Sequence, residues 1–138
     1  MKTVLFVCVH NAGRSQMAEA YLRQIAKVEN VDVESLSAGT VPGTQVNPIA
    51  MEVMKEEGID LTTHTPKVLT QEMADHSDKV ITMGCGVDAA ACPARIHLSE
   101  DWGLDDPAGR PLDEVRRIRD EIKVRVHQLV NELKAAEA

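Results

Sequence analysis

Residues 3–8, Thr3-Val4-Leu5-Phe6-Val7-Cys8, run apolar without the alternation that a strand with one wet face would show. A strand of that kind has to be covered on both sides, which is the situation of a central strand in a parallel sheet. Behind it, Ala18, Tyr21, Leu22, Ile25 and Val28 recur at helical spacing, so residues 15–28 predict a helix after a short loop. The pattern then repeats. Residues 32–38 read as a second strand, Val41-Pro42-Gly43 as a loop, and Asn47 as the cap of a helix with Pro48 at its first position and Gly58 at its end. Thr70 caps a short helix over 70–76, and residues 79–83 and 95–98 supply two more strands. From Pro111 onward, Val115, Ile118, Ile122, Val126, Leu129, Val130 and Leu133 form one long apolar stripe. A polar tail from Lys134 to Ala138 is expected to fray.

Strands alternating with helices predict a small doubly wound α/β domain, a four-stranded parallel sheet with helices on both faces, forming one domain over residues 1–138. A chain of this length buries roughly 70% of the surface its unfolded form exposes, enough to fold without disulfide staples. In such sheets ligands bind beyond the carboxyl ends of the strands, near the point where strand order reverses. Cys8 ends the first strand, Cys85 lies just beyond the third, and Asp105-Asp106 follow the fourth. All three features are therefore expected to face one crevice.

The formal net charge of -7 disfavours nonspecific binding to nucleic acid or to an anionic membrane, so any anion must be met by a local cradle. No apolar run approaches the roughly 18 residues of a membrane span, and no small-residue cleavage site follows Met1-Lys2-Thr3. A cytoplasmic location and a monomer are expected. Three cysteines is an odd count, and in a reducing compartment the thiols are either buried fillers or chemical participants.

The loop after the first strand reads Cys8-Val9-His10-Asn11-Ala12-Gly13-Arg14-Ser15, a cysteine followed by five residues, an arginine and a serine at the start of a helix. A strand-to-helix loop can aim several backbone N–H groups inward, and the helix dipole adds partial positive charge, so a tetrahedral oxyanion fits there. Residues Val9 to Ser15 form the candidate binding loop, with Gly13 giving it conformational freedom and Asn11 bracing it through its amide. The planar fork of Arg14 suits two oxygens of one anion. The same field lowers the pKa of Cys8 from the free value of roughly 8.5 and makes it a nucleophile, with Ser15 placed to hydrogen-bond the sulfur. Neither a nucleotidase P-loop nor a dinucleotide fingerprint is present.

A second cysteine pair, in Met83-Gly84-Cys85-Gly86-Val87-Asp88-Ala89-Ala90-Ala91-Cys92-Pro93, has six residues between its members. That is too long for a C-x-x-C redox motif, but glycines on both sides of Cys85 permit movement and the loop is cheap to close. Two other readings stand beside a redox role: Cys85 and Cys92 as apolar fillers, or as zinc ligands with His97. The zinc reading lacks the close cysteine pairing of structural sites.

The amino-terminal C-x5-R-S and the later Asp106-Pro107 resemble the low-molecular-weight protein tyrosine phosphatases. The C-x6-C segment followed by Pro93, and the stretch Glu100-Asp101-Trp102-Gly103-Leu104-Asp105-Asp106-Pro107-Ala108-Gly109, resemble the thioredoxin-coupled arsenate reductases built on that fold. The resemblance spans about residues 3 to 133. It implies Cys8 as nucleophile, Arg14 as oxyanion clamp and Asp106 as general acid, with Asp105 a weaker alternate. It further implies a thiol relay in which Cys85 attacks Cys8 and Cys92 then attacks Cys85, with thioredoxin as electron donor, arsenate as substrate and phosphate or sulfate as its mimics; no cofactor and no metal are expected. The implied role is arsenic detoxification. Phosphatases of this fold wall their pocket with rings, including tyrosines after the Asp-Pro; here Ala108-Gly109 follow, and the whole chain has three aromatics, Phe6, Tyr21 and Trp102. Gly13 stands where many relatives carry a second loop cysteine, so the partner of Cys8 must come from elsewhere. The resemblance also assigns Asn11, Glu19, Ser37, Thr65 and Lys67 to the place where several relatives bind potassium, the last being an aspartate in them. A lysine there puts its own ammonium in the cation's place, and no potassium dependence is expected.

Overall fold

The computed structural model describes residues 2–83, 100–104 and 109–137. Its elements follow the order β1 (Lys2–Cys8), α1 (Arg14–Val28), β2 (Val33–Gly39), α2 (Pro48–Glu56), α3 (Gln71–His76), β3 (Lys79–Thr82), β4 (Glu100–Asp101) and α4 (Leu112–Glu137). The four strands form one sheet in the order β2-β1-β3-β4, and every pairing is parallel. The doubly wound α/β class expected from the sequence is the class observed. The strand expected over 95–98 lies outside the described residues, as do Cys85, Cys92, His97, Asp105 and Asp106.

The uninterrupted apolar run of β1 has the physical cause inferred for it. Val4, Phe6 and Cys8 point into the larger core with α1, α2 and α4, whereas Leu5 and Val7 point to the opposite face, into a smaller core with Ala38, Leu69 and Val80. Met73 of α3 closes that second face. With β2 on one side and β3 on the other, β1 is the strand at which the order reverses, so its carboxyl end opens at the switch point.

Local chemistry sets the helix ends. The Asn47 side chain accepts from the Ile49 N–H at 2.9 Å with Pro48 at the first helical position, and Thr70 Oγ1 accepts from the Met73 N–H at 3.1 Å. At the other end of the chain, part of the stretch expected to fray is helical. The helix α4 continues to Glu137, and Lys134 Nζ reaches Glu29 Oε2 at 2.8 Å, so the last turns are tied to the end of α1.

Ion pairs join α2 to α4. Glu56 accepts from Arg116 Nη2 at 2.7 Å and from Arg119 Nη1 at 2.8 Å, while Arg119, mostly buried, also donates to the Val53 carbonyl at 2.9 Å. The hydrogen bond from Arg116, then that from Arg119, holds the Glu56 carboxyl at about 2 instead of the ordinary 4.5. A carboxyl depressed by folding contributes stability that is present above its unfolded value and lost as pH falls through the folded one. Between pH 4.5 and 2 the unfolding midpoint of Glu56→Gln is therefore expected to fall less steeply than that of the unsubstituted chain. Parallel slopes in acid thermal melts would refute this.

Candidate active site

The loop between β1 and α1 is built with its carbonyls turned outward. The Cys8 carbonyl accepts from Thr40 N at 3.2 Å, Val9 from Val41 N at 2.8 Å, His10 from Gly43 N at 3.0 Å and Ala12 from Asn47 N at 2.7 Å. The Asn11 carbonyl accepts from Gln16 Nε2 at 3.1 Å, and the Gly13 carbonyl takes the first helical bond, from Met17 N at 3.0 Å. A strap of residues 40–47 thus holds the loop from behind. His10, exposed, adds a contact between its Nδ1 and the Val41 carbonyl at 3.1 Å.

Inside the loop the buried Cys8 sulfur is the focus. Asn11 N–H donates to Sγ at 3.2 Å, and Ser15 Oγ stands 2.9 Å from it. Which way the Ser15 bond runs follows from backbone groups that have only one role. Lys67 N–H can only donate, so the atom of Asn11 that it meets at 2.8 Å is Oδ1. Asn11 Nδ2 then faces Ser15 Oγ at 2.8 Å and donates to it. The single hydroxyl hydrogen of Ser15 is left to point at Cys8. Two donors converging on one sulfur favour its thiolate form.

The left-handed residue of the loop is Asn11, at φ 51°, and not Gly13, which sits at φ −138° and ψ −92°. Gly13 lies outside the usual helical and extended regions, as its expected freedom allows, and the left-handed turn falls two positions earlier, on the residue type other than glycine that best tolerates it. Asn11 therefore braces the loop with its side chain, as expected, and bends it with its backbone.

Arg14, the first residue of α1, is buried, and its Nη1 donates to two carbonyls, Met83 at 3.1 Å and Leu104 at 2.7 Å. Met83 directly follows β3, and Leu104 follows β4 by three positions. One guanidinium thereby gathers the carboxyl ends of three parallel strands around Cys8. Of the residues that the sequence places in the site, Cys8, Val9, His10, Asn11, Ala12, Gly13, Arg14 and Ser15 are brought together; Cys85, Cys92 and Asp106 fall outside the described residues.

Three contributors were not legible as site residues. Gly39, which ends β2 in register with Cys8, lies so close to the loop that a Cβ on it would stand 2.7 Å from the Val9 carbonyl oxygen and 3.0 Å from the Asn11 nitrogen. Gln16 and His64 extend the polar network behind Asn11. The sole sequence hint for Gly39 is a glycine where a strand would otherwise carry a packing side chain.

At the place assigned to potassium by resemblance, the structure puts a carboxylate beside two cationic side chains. Buried Glu19 accepts from Ser37 Oγ at 3.1 Å, and its carboxylate already has two positive neighbours, Lys67 Nζ at 3.7 Å and Arg23 Nη2 at 3.8 Å. The three aromatic side chains are all spent in the core: Phe6, Tyr21 and Trp102 are 0%, 1% and 4% exposed, with the Phe6 and Trp102 rings 5.5 Å apart. None presents an open face to an aryl group.

Residues 3–138 match the family described as low molecular weight phosphotyrosine protein phosphatase. An arsenate reductase 2 from Staphylococcus epidermidis is 40% identical over 127 residues, covering 91% of this chain and 93% of the relative. The solved structure of an arsenate reductase in its phosphate-binding state superposes with a TM-score of 0.80 at 36% identity, covering 96% of this chain and 99% of that one. A thioredoxin-dependent arsenate reductase from Corynebacterium glutamicum gives a TM-score of 0.78 at 37% identity, covering 99% of this chain and 63% of that one.

Proposed function

Since the chain belongs to the low molecular weight phosphotyrosine protein phosphatase family, we propose that it turns the family's cysteine loop to the reduction of arsenate to arsenite, with Cys85 and Cys92 completing a thiol relay. The observation that carries the oxyanion half of the reading is the loop itself, its carbonyls bonded outward and two donors set on the Cys8 sulfur. The sulfur chemistry rests on the two further cysteines and on the arsenate reductases that the chain is similar to.

In this reading arsenate occupies the loop of residues 9–15, held by backbone N–H groups and the Arg14 guanidinium. The Cys8 thiolate attacks arsenic, an oxygen leaves as water after protonation by Asp106, and a Cys8 sulfur–arsenic bond forms. Cys85 as thiolate then attacks Cys8 Sγ. The sulfur–arsenic bond breaks with its electron pair going to arsenic, which falls from the +5 to the +3 state and departs as arsenite, leaving a Cys8–Cys85 disulfide. Cys92 attacks Cys85, Cys8 is released as thiolate, and a thioredoxin-like dithiol reduces the Cys85–Cys92 disulfide. The two electrons that arsenic gains are the two lost by the thiol pair. The reading includes a cytoplasmic monomer acting in arsenic detoxification; among the described residues no helix is long and apolar enough to cross a membrane.

A phosphatase reading has the family's name behind it, but the burial of all three aromatics leaves an aryl phosphate nothing to stack on. One assay separates the two. Fully reduced protein mixed with arsenate, with no reductant added, is expected to release about one arsenite per molecule and then stop, because each turnover consumes one thiol pair. Brisk hydrolysis of p-nitrophenyl phosphate with no arsenite would establish the phosphatase instead. Oxyanion binding with neither reaction would mark a sensor. Because Lys67 and Arg23 already flank Glu19, potassium and sodium chloride at equal concentration are expected to give the same melting temperature; a rise with potassium alone would contradict this.

A further inference from the structure

The hydrogen bonds behind the loop do not stop at Asn11. Gln16, fully buried on the first turn of α1, places Nε2 at 3.1 Å from the Asn11 carbonyl, 3.1 Å from Asn11 Oδ1 and 3.2 Å from the Thr65 carbonyl. Backbone carbonyls only accept, so the amide orientation is settled and Oε1 must face the other way. There it meets His64 Nδ1 at 3.0 Å, and because an amide oxygen carries no hydrogen, His64 is the donor. The chain of groups is continuous: His64 to Gln16, Gln16 to Asn11, Asn11 to Ser15, and Ser15 to Cys8.

We infer that Gln16, oriented by half-buried His64, is a positioning residue for the nucleophile: it pins Asn11 in its left-handed turn and so aims the Asn11 N–H and the Ser15 hydroxyl at the Cys8 sulfur. A non-glycine residue at φ 51° is an unfavourable conformation that persists where its surroundings over-determine it. Gln16 grips both the backbone carbonyl and the side-chain oxygen of that one residue, fixing its main chain and its rotamer together. Without the amide, Asn11 keeps Lys67 N–H as a donor to Oδ1, but its own carbonyl loses the partner that holds the turn. His64 donates from Nδ1 whether its ring is neutral or charged. Burial, with Arg23 and Lys67 adding and Glu19 and Asp60 opposing, keeps the ring below the ordinary histidine value.

The inference rests on the reading of Cys8 as nucleophile and is tested independently of which oxyanion reacts. Alkylation of Cys8 by iodoacetamide is followed against pH, with the Cys8 peptide quantified by mass spectrometry, in the unsubstituted chain, Gln16→Leu, His64→Leu and His64→Asn. Asparagine carries an amide nitrogen near the place of the histidine Nδ1, so it restores the donor that leucine removes. Gln16→Leu is expected to raise the alkylation midpoint by about one pH unit, slowing modification about tenfold near neutrality. His64→Leu is expected to slow it roughly threefold, with His64→Asn recovering most of the loss. A destabilised variant remote from the loop, Ile122→Val in the α4 core, is expected to melt earlier with its profile unmoved. Should Gln16→Leu fail to fold, the His64 pair decides alone. Identical profiles in all variants, an equal shift in Ile122→Val, or His64→Asn as impaired as His64→Leu would each overturn the inference. An ordinary thiol midpoint in the unsubstituted chain would overturn the nucleophile reading together with it, whereas a depressed midpoint with no response to Gln16 or His64 would sink this inference only.

Discussion

Reduced protein carrying Cys85→Ser is expected to bind arsenate and release no arsenite, where the unsubstituted chain releases about one equivalent. The reason is electron accounting. Cys8 can form a bond to arsenic by itself, but reduction needs a second thiolate to take the Cys8 sulfur and leave the bonding pair on arsenic. A serine hydroxyl cannot do this, being neither ionised near neutral pH nor able to form the disulfide. The loop supplies no substitute, since Val9 to Ser15 contain no other cysteine. Cys92→Ser is expected to behave differently, giving one equivalent of arsenite in the first turnover and then retaining a Cys8–Cys85 disulfide, visible as a linked peptide pair on non-reducing digestion. If Cys85→Ser released arsenite at the ordinary rate, the order of the relay would be wrong.

The second large effect is expected at a residue that carries no chemistry. Gly39→Ala adds one methyl group 2.7 Å from the Val9 carbonyl oxygen, 3.0 Å from the Asn11 nitrogen and 3.1 Å from Asn11 Cβ. These are main-chain atoms and a constrained Cβ, so nothing swings aside as a long side chain would. Moving Val9 outward disturbs its bond from Val41 N, and moving Asn11 takes its N–H from the Cys8 sulfur. Forcing a methyl group into a packed site costs about 1–3 kcal/mol, and displacing a reacting group by an ångström costs on the order of 100-fold in rate. Gly39→Ala is therefore expected to fold with a lowered melting temperature and to turn over arsenate about 100-fold more slowly in a single cycle. The contrast is Gly43→Ala, on the strap that follows β2, where the new Cβ meets nothing closer than 3.9 Å and the N–H to the His10 carbonyl is kept. Equal rates for the two alanine variants would show that the close approach at Gly39 does not place the loop.

What the sequence made legible was whatever depends on near neighbours. The apolar run of β1, the capping pair Asn47-Pro48 and the Thr70 cap each follow from residues within a few positions, and each stands where expected. The loop was legible for the same reason, since Cys8, Arg14 and Ser15 form one short strand-to-helix connection. Gln16 and His64 were not, because their meaning lies in a contact across 48 positions that periodicity does not encode. Gly39 was missed because a glycine at a strand end looks like ordinary punctuation until the neighbouring backbone is in view. The left-handed turn at Asn11 was not legible, because the hydrogen bonds from Lys67 and Gln16 that hold it come from beyond the loop. The Lys134–Glu29 pair was not legible either, being 105 positions apart.

The two carbonyls held by Arg14 bear on how one scaffold hosts two kinds of reaction. Met83 stands two positions before Cys85, and Leu104 two positions before Asp106. Both positions therefore follow closely on points fixed to the same side chain, the arginine that begins α1. The two points fixed to Arg14, at Met83 and Leu104, stay registered to the sulfur. A hydrolytic and a reducing chain can thus share the sheet, the loop and these two anchored points, and differ in the residues that follow them.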